Sequence, residues 1–316
     1  MGMPGCAGSA QCAAPLGVGE LAAMSAIAGS YAEHVPVFHL VGTPNLPTQE
    51  GRALVHHTLG NGEFDLFHRM AEPIVCASAI MTPQNAASET ERLIAEALYH
   101  RRPVYMAIPS DVANAPVLAV APALNSPSSD PESLAAAIDA VAAALTNAGQ
   151  GCVLPGLLLR RLGLQAAATK FVDASGLPFA TMFADKSVLG EDHPGYIGMY
   201  AGRLMNEPVR AFVESCDAVV LLGATLTDGN TAGFTARLDP DKTITIGHHH
   251  TTIGDAVYRN VEMSDIMAQL SGPMTNRAWR PVIAPESLGP AVGGGEAPIT
   301  AEALYPAGRT SSGPVT

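Results

Sequence analysis

The residues best equipped for chemistry in this chain of 316 residues are His56 and His57, adjacent imidazoles followed by Thr58-Leu59-Gly60-Asn61-Gly62. That density of turn-formers excludes the interior of a helix or strand and predicts a loop. Histidine is the side chain that changes charge near neutral pH, and loops held by rigid elements commonly carry proton-transfer groups. By spacing alone, ordinary solvated loop histidines remain the favoured reading of the pair. A second run, His248-His249-His250, closes an expected strand. Consecutive residues there point in different directions and no further ligand set of usable spacing follows, so loop histidines and no metal are expected. Gly223-Ala224-Thr225 has the character of a helix-entry loop able to hold a phosphate, but without GxGxxG and a downstream acid the signal is weak.

The elements that must position these groups alternate between apolar strands and amphipathic helices. Gly17 and Gly19 suggest a tight turn into a helix whose Leu21, Met24, Ala28 and Tyr31 share one face. A buried strand is expected at Val35 to Val41, a short helix near Phe64 to Met70, a strand at Ile74 to Ile80, a helix near Pro83 to Tyr99 and a strand at Val104 to Ile108. A second series opens at Pro131-Glu132-Ser133 with an alanine-rich helix to Asn147. It continues with strand Cys152 to Pro155, helix Leu162 to Ser175, strand Pro178 to Met182, helix Glu207 to Ser215 and strands Ala218 to Leu222 and Thr243 to Ile246. Such alternation implies βαβ units and parallel sheets, an α/β fold. The expected organisation is a disordered N-terminus over 1–15, one domain over 16–115, a Pro/Ser-rich linker over 116–130, a doubly wound α/β domain over 131–272 and a linker or disordered tail over 273–316.

Composition narrows the function. With 47% hydrophobic and only 15% charged residues, the chain has apolar area for real cores and fewer surface charges than average. A formal charge of −12 argues against nucleic acid and anionic membranes, whose recognition needs clustered Lys and Arg. The five cysteines Cys6, Cys12, Cys76, Cys152 and Cys216 form no C-x-x-C pair, so reduced thiols are expected rather than disulfides or zinc. No apolar run approaches the about 18 residues of a membrane span, and the N-terminus lacks the basic start of a secretory signal, so a cytoplasmic location is expected.

The stretch GVGELAAMSAIAGSYAEHVPVFHLVG, followed by HHTLGNGEFDLFHRM, resembles the pyrimidine-binding domain of the thiamine diphosphate-dependent 2-oxo acid decarboxylases, the pyruvate and indolepyruvate decarboxylase family. The likeness is continuous from Leu16 to Pro116, with a second region from Leu134 to about Met263 similar to the family's middle domain. It implies non-oxidative decarboxylation of a 2-oxo acid of the pyruvate, indolepyruvate or phenylpyruvate type to an aldehyde and carbon dioxide. Thiamine diphosphate and Mg²⁺ are the implied cofactors, and a homo-oligomer or a complementing paralogue the implied partner. Carried over residue by residue, His56 and His57 take part in proton transfer, and the loop at Gly17 and Val18 is pressed against the cofactor's aminopyrimidine ring. The segment HHTLGNG argues against a carboligase. Asp228-Gly229-Asn230 is similar to the acidic turn that holds magnesium in thiamine enzymes, but its setting in LTDGNTAGF makes it a plain turn of the middle domain.

The chain also departs from the family. Ala14-Pro15-Leu16 stands where Thr-Thr-Phe is usual, and proline removes a backbone donor and a strand position. The family's ring-protonating glutamate has no counterpart, and after Pro298 to Pro306, similar to the opening of the diphosphate-binding domain, no magnesium-binding segment follows. A frame change or truncation at each end would produce this pattern. The alternative expectation is therefore a catalytically inactive fragment, or an assembly subunit pairing with an intact decarboxylase.

Overall fold

The computed structural model describes residues 9–116 and 127–270, together with Trp279, Ile283, Pro298 and Thr300. The chain forms two α/β units, each built on a sheet of mainly parallel strands.

The first unit runs β1 (Ala10–Pro15), α1 (Val18–Ala32), β2 (Val37–Thr43), α2 (Leu46–Glu50), α3 (Leu66–Ala71), β3 (Ala77–Ile80), α4 (Ala86–His100) and β4 (Val104–Pro109). Its four strands lie parallel in the order β1-β2-β4-β3. Strand β4 is central and nearly all buried, and its side chains alternate between the faces as the two-residue period of a strand requires. Tyr105 and Ala107 meet Ile27 of α1 and Phe67 and Ala71 of α3, whereas Val104 and Met106 meet Leu93 and Ala97 of α4.

The second unit comprises α5 (Pro131–Asn147), β5 (Gly151–Pro155), α6 (Leu157–Leu162), α7 (Gln165–Ser175), β6 (Phe179–Thr181), β7 (Tyr196–Met199), α8 (Glu207–Ser215), β8 (Ala218–Leu222), β9 (Thr243–Ile246), β10 (His250–Ile253), β11 (Ala256–Arg259) and α9 (Met263–Leu270). The sheet order is β11-β10-β9-β8-β5-β6-β7, with β10 and β11 antiparallel at one edge. The continuous apolar run of β8 fits a strand covered on both sides. Ala218, Val220 and Leu222 join the core under α5, α7 and α9, while Val219 and Leu221 join the core under α8. Helix α5 starts where its sequence says it should: the Asp130 carboxylate accepts the Ser133 N–H at 2.8 Å and Pro131 opens the first turn. Its Ala137, Val141 and Leu145 recur every fourth residue and form the buried stripe. Among the described residues no helix is long and apolar enough to cross a membrane.

The structure departs from the sequence-based expectations in five places. Residues Ala10–Pro15, expected to be disordered, form β1, whose Cys12 and Ala14 turn inward beside β2. Small side chains hide this strand from hydrophobic periodicity, and Pro15 is tolerated because it ends the outermost strand of the sheet. Residues 1–8 lie outside the described residues. Helix α1 buries Glu20 and Ile27, and Leu21 of the expected face is exposed. The helix expected over Leu162 to Ser175 is α7, which starts at Gln165, and a separate helix α6, not expected, precedes it and ends at Gly163 with φ +71°. The strands β7, β10 and β11 are not among the expected elements, since Gly198 in the first and His250, Thr251, Thr252 and Arg259 in the others dilute the apolar signal. Finally, Trp279 lies within the expected tail, yet it is buried in the second core and its indole N–H donates to the Ser175 carbonyl at 2.9 Å. Of the expected linker, residues 117–126 are outside the described residues, as is most of 273–316.

Trp279 therefore belongs to the second unit's core. Trp279→Ala is expected to lower stability by about 3–5 kcal/mol, read by urea denaturation followed by far-ultraviolet circular dichroism. A midpoint equal to that of the parent would contradict this packing.

Candidate functional site

The loop between α2 and α3 carries His56 and His57, both exposed, with ring centroids 4.3 Å apart and planes tilted by 60°. Local bonds shape the loop. Thr58 Oγ1 donates to the Val55 carbonyl at 2.6 Å and accepts the Gly60 N–H at 3.1 Å. Gly62, at φ +74°, lets the chain pass the backbone of Arg52, for a Cβ there would lie 2.5 Å from the Arg52 carbonyl oxygen. The sequence-based reading of a loop holds for this segment.

What fixes this loop to the body of the first unit is Gly17. A Cβ on Gly17 would stand 1.7 Å from the His57 carbonyl oxygen, so only a glycine lets the two backbones touch, and its φ of +74° favours glycine independently. His57 itself adopts φ +68° at this contact. The Gly17 N–H donates to Glu20 Oε1 at 2.6 Å, and Glu20 Oε2 accepts the Tyr105 hydroxyl at 2.8 Å. Glu20 is fully buried; burial pushes its pKa up, opposed by the bonds from Gly17 and Tyr105 and by nearby His68. Burial and the neighbouring carboxylate push the Tyr105 phenol upward, so it remains a proton donor.

Two further histidines flank Tyr105. His68 stacks on its ring at 5.1 Å, and His39 meets it edge-on at 5.4 Å. His39 is fully buried and neither ring nitrogen has a partner among the described residues; burial lowers its pKa and keeps it neutral. Glu20, Tyr105, His39 and His68 escape sequence reasoning because their roles arise from contacts across the sheet. The one local signal is the spacing Gly17-x-x-Glu20, where an acid three residues into a helix can reach back to a backbone N–H. Val18, beside Gly17, is exposed. At the carboxyl ends of β1, β2 and β4 opens a cleft of about 680 Å³, lined by Pro15, Gly42, Thr43, Ile108, Ser110 and Ala113 among others, none of them charged. The carboxyl ends of parallel strands are where α/β proteins commonly bind small molecules.

In the second unit, the loop after β8 does not present a free phosphate cradle. It packs against Gly156, where a Cβ would lie 2.1 Å from Ala224 Cα, and the first N–H of α6 is already taken: Leu157 N–H donates to Asp185 Oδ1 at 2.7 Å. Asn230, in the turn anticipated at Asp228-Gly229-Asn230, donates through Nδ2 to Asp185 Oδ2 at 2.9 Å and accepts the Ala184 N–H at 2.8 Å. An internal carboxylate thus occupies the place an anion would take. Burial pushes the Asp185 carboxyl up to about 6, with the Leu157 and Asn230 bonds opposing. His248 and His249 lie in the turn between β9 and β10, and His250 is the first residue of β10.

With the geometry in place, comparison with known proteins gives matches of two different scopes. Residues 138–269 match the family described as thiamine pyrophosphate enzyme, central domain, which coincides with the second unit. Over the longer chain, it is 36% identical across 263 residues to the alpha-keto-acid decarboxylase of Mycobacterium leprae, covering 83% of this chain and 46% of that protein. It is 37% identical across 295 residues to the one from Mycobacterium ulcerans, covering 92% and 52%. The enzyme of the same description from Mycobacterium tuberculosis is 37% identical across 262 residues, covering 83% and 47%. The second unit thus matches the central domain of the thiamine pyrophosphate enzymes. Over both units the chain is similar to the alpha-keto-acid decarboxylases, and it spans about half the length of the curated relatives it matches.

Two predictions follow from the geometry of these loops. Gly17→Ala is expected to cost at least about 2 kcal/mol and to displace the His57 ring resonances in NMR spectra, since backbone rather than a flexible side chain stands in the way; unmoved resonances would refute the contact. For Asp185, the folded value near 6 lies above the ordinary 3.8, so the fold binds the extra proton and stability falls as pH rises from about 4 to about 6, by about 3 kcal/mol. Asp185→Asn should flatten that part of the stability curve relative to the parent, measured by chemical denaturation across the range.

Proposed function

We propose that this chain takes part in the thiamine diphosphate- and Mg²⁺-dependent, non-oxidative decarboxylation of a 2-oxo acid of the pyruvate, indolepyruvate or phenylpyruvate type, giving an aldehyde and carbon dioxide. The observation that carries the reading is the exposed His56-His57 pair seated on the Gly17 backbone. Loss of carbon dioxide leaves an electron pair that no amino-acid side chain can store, and the thiazolium of the cofactor supplies that sink when bound. His56 and His57 then serve as proton donor and acceptor at the reacting carbon, at a solvent-facing position that substrate can reach. Gly17 and Val18 would form the edge that holds the uncharged aminopyrimidine ring. The neighbouring cleft fits such a ring because its lining is uncharged and mostly apolar. For the same reason it does not fit the diphosphate or Mg²⁺, which other groups must hold. Glu20 has both oxygens engaged by Gly17 and Tyr105, so it is a positioning residue for the loop.

A second reading has its support in the uncharged lining of the same cleft, which offers the diphosphate and Mg²⁺ no charged group. In it, the chain is inactive alone and pairs, as one subunit of an oligomer, with an intact decarboxylase. Cys12, Cys76, Cys152 and Cys216 are all free thiols, consistent with a reducing cytoplasmic setting under either reading.

The test is carbon dioxide release by the purified chain with thiamine diphosphate, Mg²⁺ and a panel of 2-oxo acids, beside His56→Ala. Release that falls by about 10²-fold or more in the variant is the expected result. Release that appears only when the chain is mixed with a full-length relative disabled at its own histidine pair selects the second reading. Silence in both arms rejects a catalytic role for His56 and His57.

A further inference from the structure

The histidine run that the sequence-based reading set aside acquires a third partner in the fold. Strand residues in succession would point apart, but in the turn between β9 and β10 the His248 and His249 rings stack with centroids 3.6 Å apart and planes within 26°. Both therefore lie on one side of the turn. Glu262, just ahead of α9, is brought opposite them by backbone bonds on either flank: Val261 N–H donates to the His249 carbonyl and Met263 N–H to the His248 carbonyl, at 3.3 and 3.4 Å. The Glu262 carboxylate stands 3.1 Å from His249 Nδ1, and Oε1 accepts the Tyr99 hydroxyl at 2.7 Å. One nitrogen of each imidazole and one carboxylate oxygen all fall within 4.8 Å of one another.

The surroundings suit a cation held by neutral rings. All three residues are partly buried, and His249 Nε2 is a buried nitrogen with no partner among the described residues. Tyr99, at the end of α4, stacks on His249 at 4.1 Å while holding Glu262, and His100 meets His249 edge-on at 5.5 Å. A hydroxyl fixing a carboxylate from behind is the arrangement that orients metal ligands.

We propose that His248, His249 and Glu262 form a site for a divalent transition-metal ion of the zinc type, with its remaining positions open to water. Two imidazoles and one carboxylate favour such borderline ions over Mg²⁺, which prefers all-oxygen surroundings. Nitrogen bonds of about 2.0–2.1 Å require the three groups to draw together, which side-chain rotation in the partly exposed turn permits. The bound ion would tie the β9–β10 turn to the start of α9 and, through Tyr99, to the first unit. It is independent of the proposed decarboxylation and of that reaction's Mg²⁺.

The experiment is calorimetric titration of the metal-free full chain with zinc chloride, with Co²⁺ absorption as a second readout. One equivalent is expected to bind. Glu262→Gln and His248→Ala should abolish it, and Tyr99→Phe should weaken it by about 10–100-fold. His193→Ala, which removes the separate His193–Asp173 pair at 3.0 Å, should leave it unchanged. Thermal melts without metal establish that each variant is folded, and zinc should raise the melting temperature of the parent but not of Glu262→Gln. Binding that is absent in the parent, or equal in parent, Glu262→Gln and His248→Ala, overturns the site. Should those two variants fail to fold, the absence of visible Co²⁺ bands in the parent, or no weakening in Tyr99→Phe, overturns it equally.

Discussion

A single buried carboxylate organises the first unit. Glu20 has no solvent to charge against, and what makes it tolerable is that each oxygen has its own donor, the Gly17 N–H and the Tyr105 hydroxyl. Those two bonds join the start of α1 to the central strand β4 and hold Gly17 in its positive-φ conformation. Because the His57 carbonyl rests on Gly17, the same carboxylate sets the position of an exposed loop it never touches. The order of dependence runs from buried acid to positive-φ glycine to histidine pair. Functional loops on a rigid scaffold are commonly built this way, with the precision supplied from beneath.

The second unit shows the same economy applied to a different end. Asp185 occupies the entrance of α6, where a helix start and a close-packed glycine loop would otherwise offer backbone donors to an anion. Asn230 holds the carboxylate from the far side and caps the neighbouring chain. The loop after β8 is thereby committed to internal architecture.

Much of the fold is legible in the sequence wherever the signal is local. Helix α5 announces itself through Asp130 and Pro131, α8 through its proline-containing first turn, and β8 and β9 through short apolar runs. What fails is whatever depends on a distant partner. The inward face of α1 is misread because Glu20 counts as polar until Tyr105, 85 residues away, is placed beside it. β1 is invisible because alanines carry too little hydrophobic contrast, and Trp279 because one aromatic amid prolines and glycines forms no pattern. At the site, the loop character of His56 and His57 is readable from Gly60, Asn61 and Gly62, while the floor beneath them is not. The Glu262 neighbour of the histidine run at 248 to 250 is hidden in the same way, since it comes beside His249 only through the β10–β11 hairpin.

Trp279 carries one more consequence. It is the chain's sole tryptophan and it lies in the second unit's core, so emission excited selectively from tryptophan is an optical gauge of that unit. Melting confined to the first unit, where the histidine pair stands, would leave that tryptophan signal unchanged and be visible to probes that sense the whole backbone. Disagreement between the two kinds of signal would then measure how far the units unfold independently, and agreement would mean that the contacts at Tyr99 and Glu262 bind them into one cooperative body.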